Sequence, residues 1–251
     1  MKLSFRDIFV FADLKKETNV FKHFSLDEVK DRYDSNFIEF KVMPSLRQFQ
    51  EAEAYLKLFH HNRGQKFLKF VFPQDIILPI ELIQYVKRQG YEMNYNEMYT
   101  IRPNVFLKDT TNPNVKVEYV TKETLPQYLA LHYEDALQWG EKYAFDKRKM
   151  QIRDFKEQRK KQIIAIQNGE VIGSIDIIVK EHTVELDHFY VLPTYQRQGV
   201  GSSIQQFVMN EFVDKIMILV TDGQDTAREM YIKQGYCYIG KQYSILKTSI
   251  K

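Results

Sequence analysis

Two carboxylates and a glycine-bearing turn stand close together in the second half of this chain. Glu185 and Asp187 are two apart in a run, Thr183 to Leu192, that reads as a strand, so both project from one face. Burial beside each other would raise one carboxyl toward the range in which it can take a proton from an amine. The same pair could instead face solvent or hold a basic substrate. Directly after the strand comes Val191-Leu192-Pro193-Thr194-Tyr195-Gln196-Arg197-Gln198-Gly199-Val200-Gly201-Ser202, and then a helical pattern to Phe212. Gly199 and Gly201 allow a close backbone approach that side chains would block. The first N–H groups of a helix are unpaired and its dipole favours an anion there. Arg197 can add a charge-assisted contact to a phosphate. No Lys-Ser or Lys-Thr follows the glycines, which sets aside a P-loop, and no third glycine with an acidic ribose partner supports a dinucleotide fold.

The elements that must carry these residues follow from periodicity. Val115 to Val120 alternates as a strand, and Thr124 to Gln138 carries Leu125, Tyr128, Leu129, His132 and Ala136 at helical spacing. A charged helix is expected from Asp146 to Lys161, its basic run of Lys147, Arg148, Lys149, Arg153, Lys156, Arg159, Lys160 and Lys161 read as a solvated face. Asn168-Gly169 signals a hairpin between Gln162 to Gln167 and Val171 to Val179. A buried strand at Lys215 to Thr221, a helix at Thr226 to Gln234 and a closing hairpin at Tyr236 to Leu246 complete the order. This mixture predicts an α+β fold, an α/β sandwich around one sheet. His188 is expected on the face opposite Glu185 and Asp187, packed or surface-exposed. Trp139, Tyr143 and Phe145 are read first as a helix-packing knot and second as the wall of a pocket.

The cradle resembles motif A of the GNAT superfamily of acyl-CoA transferases, Gln/Arg-x-x-Gly-x-Gly/Ala, with Gln196, Gly199 and Gly201 in the pattern positions. Tyr231-Ile232-Lys233-Gln234-Gly235-Tyr236 is similar to that family's later Tyr-x-x-x-Gly-Phe/Tyr segment, and the likeness covers about Val115 to Leu246. The resemblance implies a mixed, mostly antiparallel sheet flanked by helices, and acetyl-CoA as acyl donor. It implies that Phe189, Tyr190 and Val191 pair with the pantetheine arm and that Gln196, Arg197, Gln198, Gly199, Val200, Gly201 and Ser202 surround the pyrophosphate. Gln224 and Ala227 would complete the cofactor contacts, Gln224 standing where the family often has the shorter Asn. Glu185 holds the place of the general base in some members, with Asp187 beside it, and Tyr231 that of the acid for the coenzyme A thiolate. On the residues alone, Tyr231 could equally be a core aromatic.

The first half echoes the second. Asn36 to Pro44, a helix, a strand at Lys66 to Phe72, a helix and Gly90-Tyr91 recur in order as Thr183 to Pro193, a helix, Lys215 to Thr221, a helix and Gly235-Tyr236. Where the second copy has its glycines the first has Pro44-Ser45-Leu46-Arg47-Gln48-Phe49-Gln50-Glu51, with no glycine and an acidic residue that would repel phosphate. The reading is two tandem halves: a degenerate GNAT-like domain over 1–110 without a cofactor site, and an acetyl-CoA-binding catalytic domain over 115–251. The turn-forming stretch Arg102 to Asn114 lies between them. The first half would extend the sheet, shape the acceptor pocket or mediate pairing into a homodimer.

The whole chain agrees with an enzyme on a small scale. Its 251 residues are 44% hydrophobic with 18 Phe and 16 Tyr, enough for a sizeable core. A net charge of +3 argues against a nucleic-acid partner. The single Cys237 leaves no internal disulfide and suits a reducing, cytoplasmic setting; no apolar run reads as a signal peptide or membrane span. The expectation is an N-acetyltransferase acting on a primary amine of a small molecule or protein, without a metal. The alternatives are a non-catalytic acyl-CoA sensor or scaffold and an aminoacyl-tRNA-dependent transferase.

Overall fold

The computed structural model describes residues 3–107, 111–224 and 227–248, Ala227 by its backbone alone. Thr226, expected to open a helix, lies outside the described residues. Two compact units share the chain. One holds the described residues up to Met98, the turn that begins at Thr221 and the segment from Ile239 onward; the other holds Tyr99 to Val220 and the helix region up to Tyr238.

The first unit contains β1 (Asp13–Glu17), β2 (Phe21–Ser25), β3 (Phe37–Phe40), α1 (Leu46–Asn62), β4 (Leu68–Val71), α2 (Ile80–Arg88) and the start of β5 (Glu92–Ile101). β1 to β3 pair antiparallel, and β3 pairs with β4 in parallel across the α1 connection. Helix α1 opens at Ser45, whose hydroxyl accepts from the Gln48 amide while the Gln48 side chain accepts from the Ser45 N–H. Phe49, Ala52 and Leu56 then recur on one face and are buried against Phe40, Phe70 and Phe72. The Phe49 and Phe70 rings meet with centroids 4.9 Å apart.

The second unit contains β6 (Lys116–Tyr119), α3 (Leu125–Ala136), α4 (Glu141–Glu157), β7 (Lys161–Gln167), β8 (Glu170–Val179), β9 (Thr183–Val191), α5 (Val200–Glu211), β10 (Ile216–Asp222), α6 (Ala227–Lys233) and the first residues of β11 (Cys237–Lys247). β6 to β9 form an antiparallel series, and β9 pairs with β10 in parallel across α5. The β7–β8 turn has φ of 53° at Asn168 and 82° at Gly169, the doubly left-handed geometry that an Asn-Gly hairpin supplies. Ile163, Ile175, Ile177, Val184 and Leu186 bury one face against Val200, Ile204 and Val208 of α5. On the other face Tyr128 and Leu129 of α3 pack on Ile164 and Val171.

The architecture is α+β, with mixed, mostly antiparallel strands and six α-helices among the described residues. The echo read in the sequence extends to topology. The order β3–α1–β4–α2–β5 matches β9–α5–β10–α6–β11, each opening on a parallel strand pair joined by a helix.

Four local expectations change. The closing hairpin is one continuous strand, β11, because Gly240 stays extended: the Lys241 N–H donates to the Asp75 carboxylate and its carbonyl accepts from the Asp75 N–H. From Ser244 to Lys247 that strand pairs antiparallel with β4, so the chain's last strand is shared between the units. Helix α4 starts at Glu141 and stops at Gln158, which adopts φ 52°, so Lys160 and Lys161 fall outside it. The described parts of the stretch Arg102 to Asn114, 102–107 and 111–114, group with the second unit, which begins at Tyr99; Phe106 joins its core and the Asn112 N–H donates to Ser203 Oγ at 2.9 Å, while 108–110 lie outside the described residues.

Phe49 is fully buried among aromatic partners. Phe49→Ala is expected to destabilise the first unit by about 3–5 kcal/mol, read as a lower midpoint in urea unfolding followed by circular dichroism.

Candidate functional site

The donor side is built on the end of β9 and the start of α5. The β9–β10 pairing runs from Thr183↔Ile216 to Leu186↔Leu219, while β9 continues to Val191 beside β8 alone. From Asp187 on, one edge of β9 is therefore open. The loop that follows turns through Arg197 at φ 61° and Gly199 at φ 78°, two left-handed residues. Gly199 is the N-cap of α5, and it brings no side-chain acceptor to the first turn of that helix. A Cβ on Gly201 would stand 3.1 Å from the Phe189 ring, which explains why this position carries no side chain.

The side chains of several residues expected around the pyrophosphate brace the loop. Gln196 Nε2 donates to the Val191 carbonyl at 3.0 Å, and Gln198 Nε2 donates to the Thr194 carbonyl at 2.8 Å. Ser202 Oγ accepts from Gln234 Nε2, whose own Oε1 accepts from Gln205; Gln205 in turn accepts from the Tyr236 hydroxyl. This buried chain of amides ties the first turn of α5 to the end of α6. Asn112, which no sequence motif marks, donates to the Gln198 carbonyl and clamps the loop from the other side.

The acidic side lies on the opposite face of β8 and β9. Val184 and Leu186 enter the core, which leaves Glu185 and Asp187 on the other face. There the alternation breaks. Ser174 pairs with Tyr190 and Asp176 with Asp187, so His188 and Phe189 stand opposite the single residue Ile175. This is a β-bulge, and its first residue, His188, has φ 50°. The imidazole consequently shares the face of Asp187, contrary to the expectation from simple alternation, while Phe189 packs on the core.

A buried polar cluster results. Lys160 Nζ lies 2.5 Å from Asp187 Oδ2 and 3.6 Å from Asp176 Oδ2, with its side chain 3% exposed. The basic run thus loses Lys160 from its solvated face. Tyr128 of α3 donates to Asp176 Oδ1 at 2.7 Å and accepts from Gln151 at 3.3 Å. His132 Nε2 is 2.9 Å from Ser174 Oγ, and its ring stacks on His188 with centroids 4.2 Å apart. Burial pushes the Asp176 carboxyl up to about 6; Lys160 opposes the rise and Asp187 and Asp154 add to it. Burial, with Lys147 and Lys160 adding to it, lowers the His132 imidazole to about 3.

Other expected residues fall elsewhere. Glu185 is buried, 3.9 Å from Lys180 and opposite Ile218 in the part of β9 still paired with β10. Tyr231 is 8% exposed in the core cluster that also holds Leu186 and Leu219, its ring 5.3 Å from Tyr236 and 6.1 Å from Tyr99. Gln224 is exposed and its N–H donates to Asp222; it groups with the first unit. Ala227 begins α6. Trp139 and Phe145 are 68% and 53% exposed, so they make no packing knot. The sequence does not flag Asp176, Tyr128 and His132, which sit at helix and strand positions that read as ordinary core.

A model described as Acetyltransferase (GNAT) family matches residues 126–236, and one described as Domain of unknown function (DUF5613) matches residues 3–99. A functionally unknown conserved protein from Staphylococcus epidermidis ATCC 12228 is 30% identical over 99% of both chains, with a TM-score of 0.91. A GCN5-related N-acetyltransferase from Kribbella flavida covers 94% of this chain and 90% of its own at 11% identity and a TM-score of 0.65. A tandem GNAT protein from the clavulanic acid biosynthesis pathway covers 86% and 76% at 7% identity and 0.57; these last two share the fold. No curated protein matches the chain.

The two buried groups set opposite pH slopes. The unfolded chain protonates the His132 imidazole near 6.5 and the folded chain near 3, so stability is lost as pH falls between those values. Asp176, raised from 3.8 to about 6, acts in reverse and loses stability as pH rises through that window. His132→Gln is expected to flatten the loss on the acid side and Asp176→Asn to remove the loss toward neutral pH. Urea midpoints of the three proteins across the pH range test both signs.

Proposed function

We propose, from the match of residues 126–236 to the GNAT acetyltransferase family, that this chain transfers an acetyl group from acetyl-CoA to a primary amine of a small molecule or protein by direct attack. The observation that carries this reading is the parting of β9 from β10 after the Leu186–Leu219 pair, with the uncapped start of α5 one turn further along the chain. The open edge of β9 at Phe189 and Tyr190 suits an amide-bearing pantetheine arm, which pairs as an added strand would. The amides from Arg197 to Ser202 suit the pyrophosphate, and the exposed Arg197 guanidinium adds charge.

In this reading the acetyl end of the arm reaches the Asp187–His188 bulge, because the arm runs from the loop back along β9. Glu185, Asp187 and Asp176 give that face an excess of carboxylates, which draws an amine as its ammonium. Tyr231 is the proposed proton source for the departing thiolate; its membership of the cluster around Leu186 and Leu219 supports a place at the mouth of the split. The first unit is read as the degenerate copy, and the Ser45–Gln48 capping box, which occupies two N–H groups at the start of α1, supports that reading.

Arg197→Glu is expected to weaken acetyl-CoA binding by about tenfold or more, since it replaces an attractive charge by a repulsive one. Calorimetric titration measures it. Tyr231→Phe is expected to lower thiol release from acetyl-CoA in the presence of an amine while affinity stays within about twofold. Unchanged turnover in Tyr231→Phe would remove its acid role, and wild-type binding without turnover would leave an acyl-CoA sensor.

A further inference from the structure

We propose that His188 is the group that takes the proton from the acceptor amine, with Asp176 orienting it and His132 fixing its plane. The inference rests on the acetyl-transfer reading above and assigns a step within it. Three observations converge on this side chain.

The first is the backbone. His188 holds φ 50°, a conformation that strains an L-residue, at the bulge that breaks the alternation of β9. That one residue turns the imidazole onto the carboxylate face. Without the bulge, His188 would follow Leu186 onto the opposite face, against α5. The second is the ring's surroundings. Nδ1 faces Asp176 Oδ2 at 3.8 Å, and the ring lies against His132 at an interplanar angle of 24°. His132 is itself 1% exposed and held by Ser174. The buried carboxylate beside Nδ1 and the ring stacked below orient the imidazole, and the carboxylate charge favours the tautomer that carries its proton on Nδ1. The His188 side chain is 27% exposed, so the ring reaches the surface from which an acceptor arrives.

The third is position along the strand. Glu185 lies where β9 is still paired with β10, and Asp187 is occupied by the Lys160 ammonium. His188 lies just beyond the split and adjoins Phe189, where the arm is proposed to lie. In the step itself the amine nitrogen attacks the thioester carbonyl carbon and forms the C–N bond. The C–S bond breaks with its electron pair going to sulfur. The amine's proton passes to His188 Nε2, the thiolate takes one from Tyr231 or water, and the imidazolium returns its proton to solvent.

The test uses the full chain, acetyl-CoA and a panel of primary amines: polyamines, amino sugars and lysine-containing peptides. Thiol release measures turnover and calorimetry measures acetyl-CoA affinity. His188→Gly suits the left-handed backbone and so keeps the bulge. It is expected to lower kcat about 100-fold with affinity unchanged, and added imidazole is expected to restore part of the rate, which a structural role would not allow. Asp176→Asn is expected to lower kcat by a smaller factor. A wild-type chain that acetylates an amine while His188→Gly keeps its rate within about threefold, or Glu185→Gln alone abolishing turnover, overturns the role of His188. A wild-type chain that binds acetyl-CoA and acetylates none of the amines overturns the transfer reading and this role with it.

Discussion

The site depends on β9 losing one neighbour partway along its length. Up to Leu186 the strand is hydrogen-bonded on both sides, to β8 and to β10; beyond it only β8 remains. An interior strand with an open edge exposes backbone donors and acceptors that water or a ligand must satisfy. The bulge at His188 and Phe189 falls at this point, and a bulge increases twist and re-aims side chains. One backbone irregularity therefore does two things. It coincides with the open edge that suits an extended amide-bearing ligand, and it places two consecutive side chains, Asp187 and His188, on the same face. Gly201 and Gly173 belong to the same constraint: a Cβ on Gly173 would meet the Tyr190 carbonyl at 3.0 Å, and one on Gly201 would press on Phe189.

The polar cluster on that face carries an energetic cost. Lys160, Asp176 and Asp154 are all nearly inaccessible, and desolvation of such groups is repaid only by close, well-directed partners. Asp187 binds Lys160 at 2.5 Å, Tyr128 donates to Asp176 and Arg153 lies 3.5 Å from Asp154. Replacing this cluster with packed apolar side chains would serve stability at least as well. Its presence under a partly exposed imidazole, at the open end of β9, points to a positioned charge distribution rather than a stabilising one.

What is legible in the sequence is local. The Gln196–Gly201 turn announces itself because glycine, proline and a helix start all lie within one short stretch, and Asn168-Gly169 sets its hairpin by the same logic. The α+β class follows from periodicity. The bulge is not legible: it is one left-handed residue, and His188 gives no more signal for it than any histidine in a strand. Lys160 reads as part of a basic helix because its neighbours are basic; only the stop at Gln158 lifts it out of that helix and into the interior. Asp176 and His132 stand at strand and helix positions that need partners distant in sequence, Lys160 and Ser174, to reveal what they do. Turn chemistry misleads in the other direction near the end of the chain: Gly240 signals a hairpin, but Asp75 supplies the partners that keep the strand extended.

The two halves show how little must change for one copy of a topology to offer an anion site and the other to close it. Both have a parallel strand pair joined by a helix, and both helices begin just after a proline-bearing turn. In α1 the N-cap is Ser45, and its reciprocal bonds with Gln48 occupy two N–H groups at the start of the helix. In α5 the N-cap is Gly199, which brings no acceptor of its own. Glycine in place of a serine cap costs a helix only about a few tenths of a kcal/mol, so α5 gives up little by lacking a side-chain acceptor there. A phosphate oxygen would take the place of the missing side chain. That asymmetry between Ser45 and Gly199 is what a division of labour between two copies would require, with one kept for stability and the other for binding.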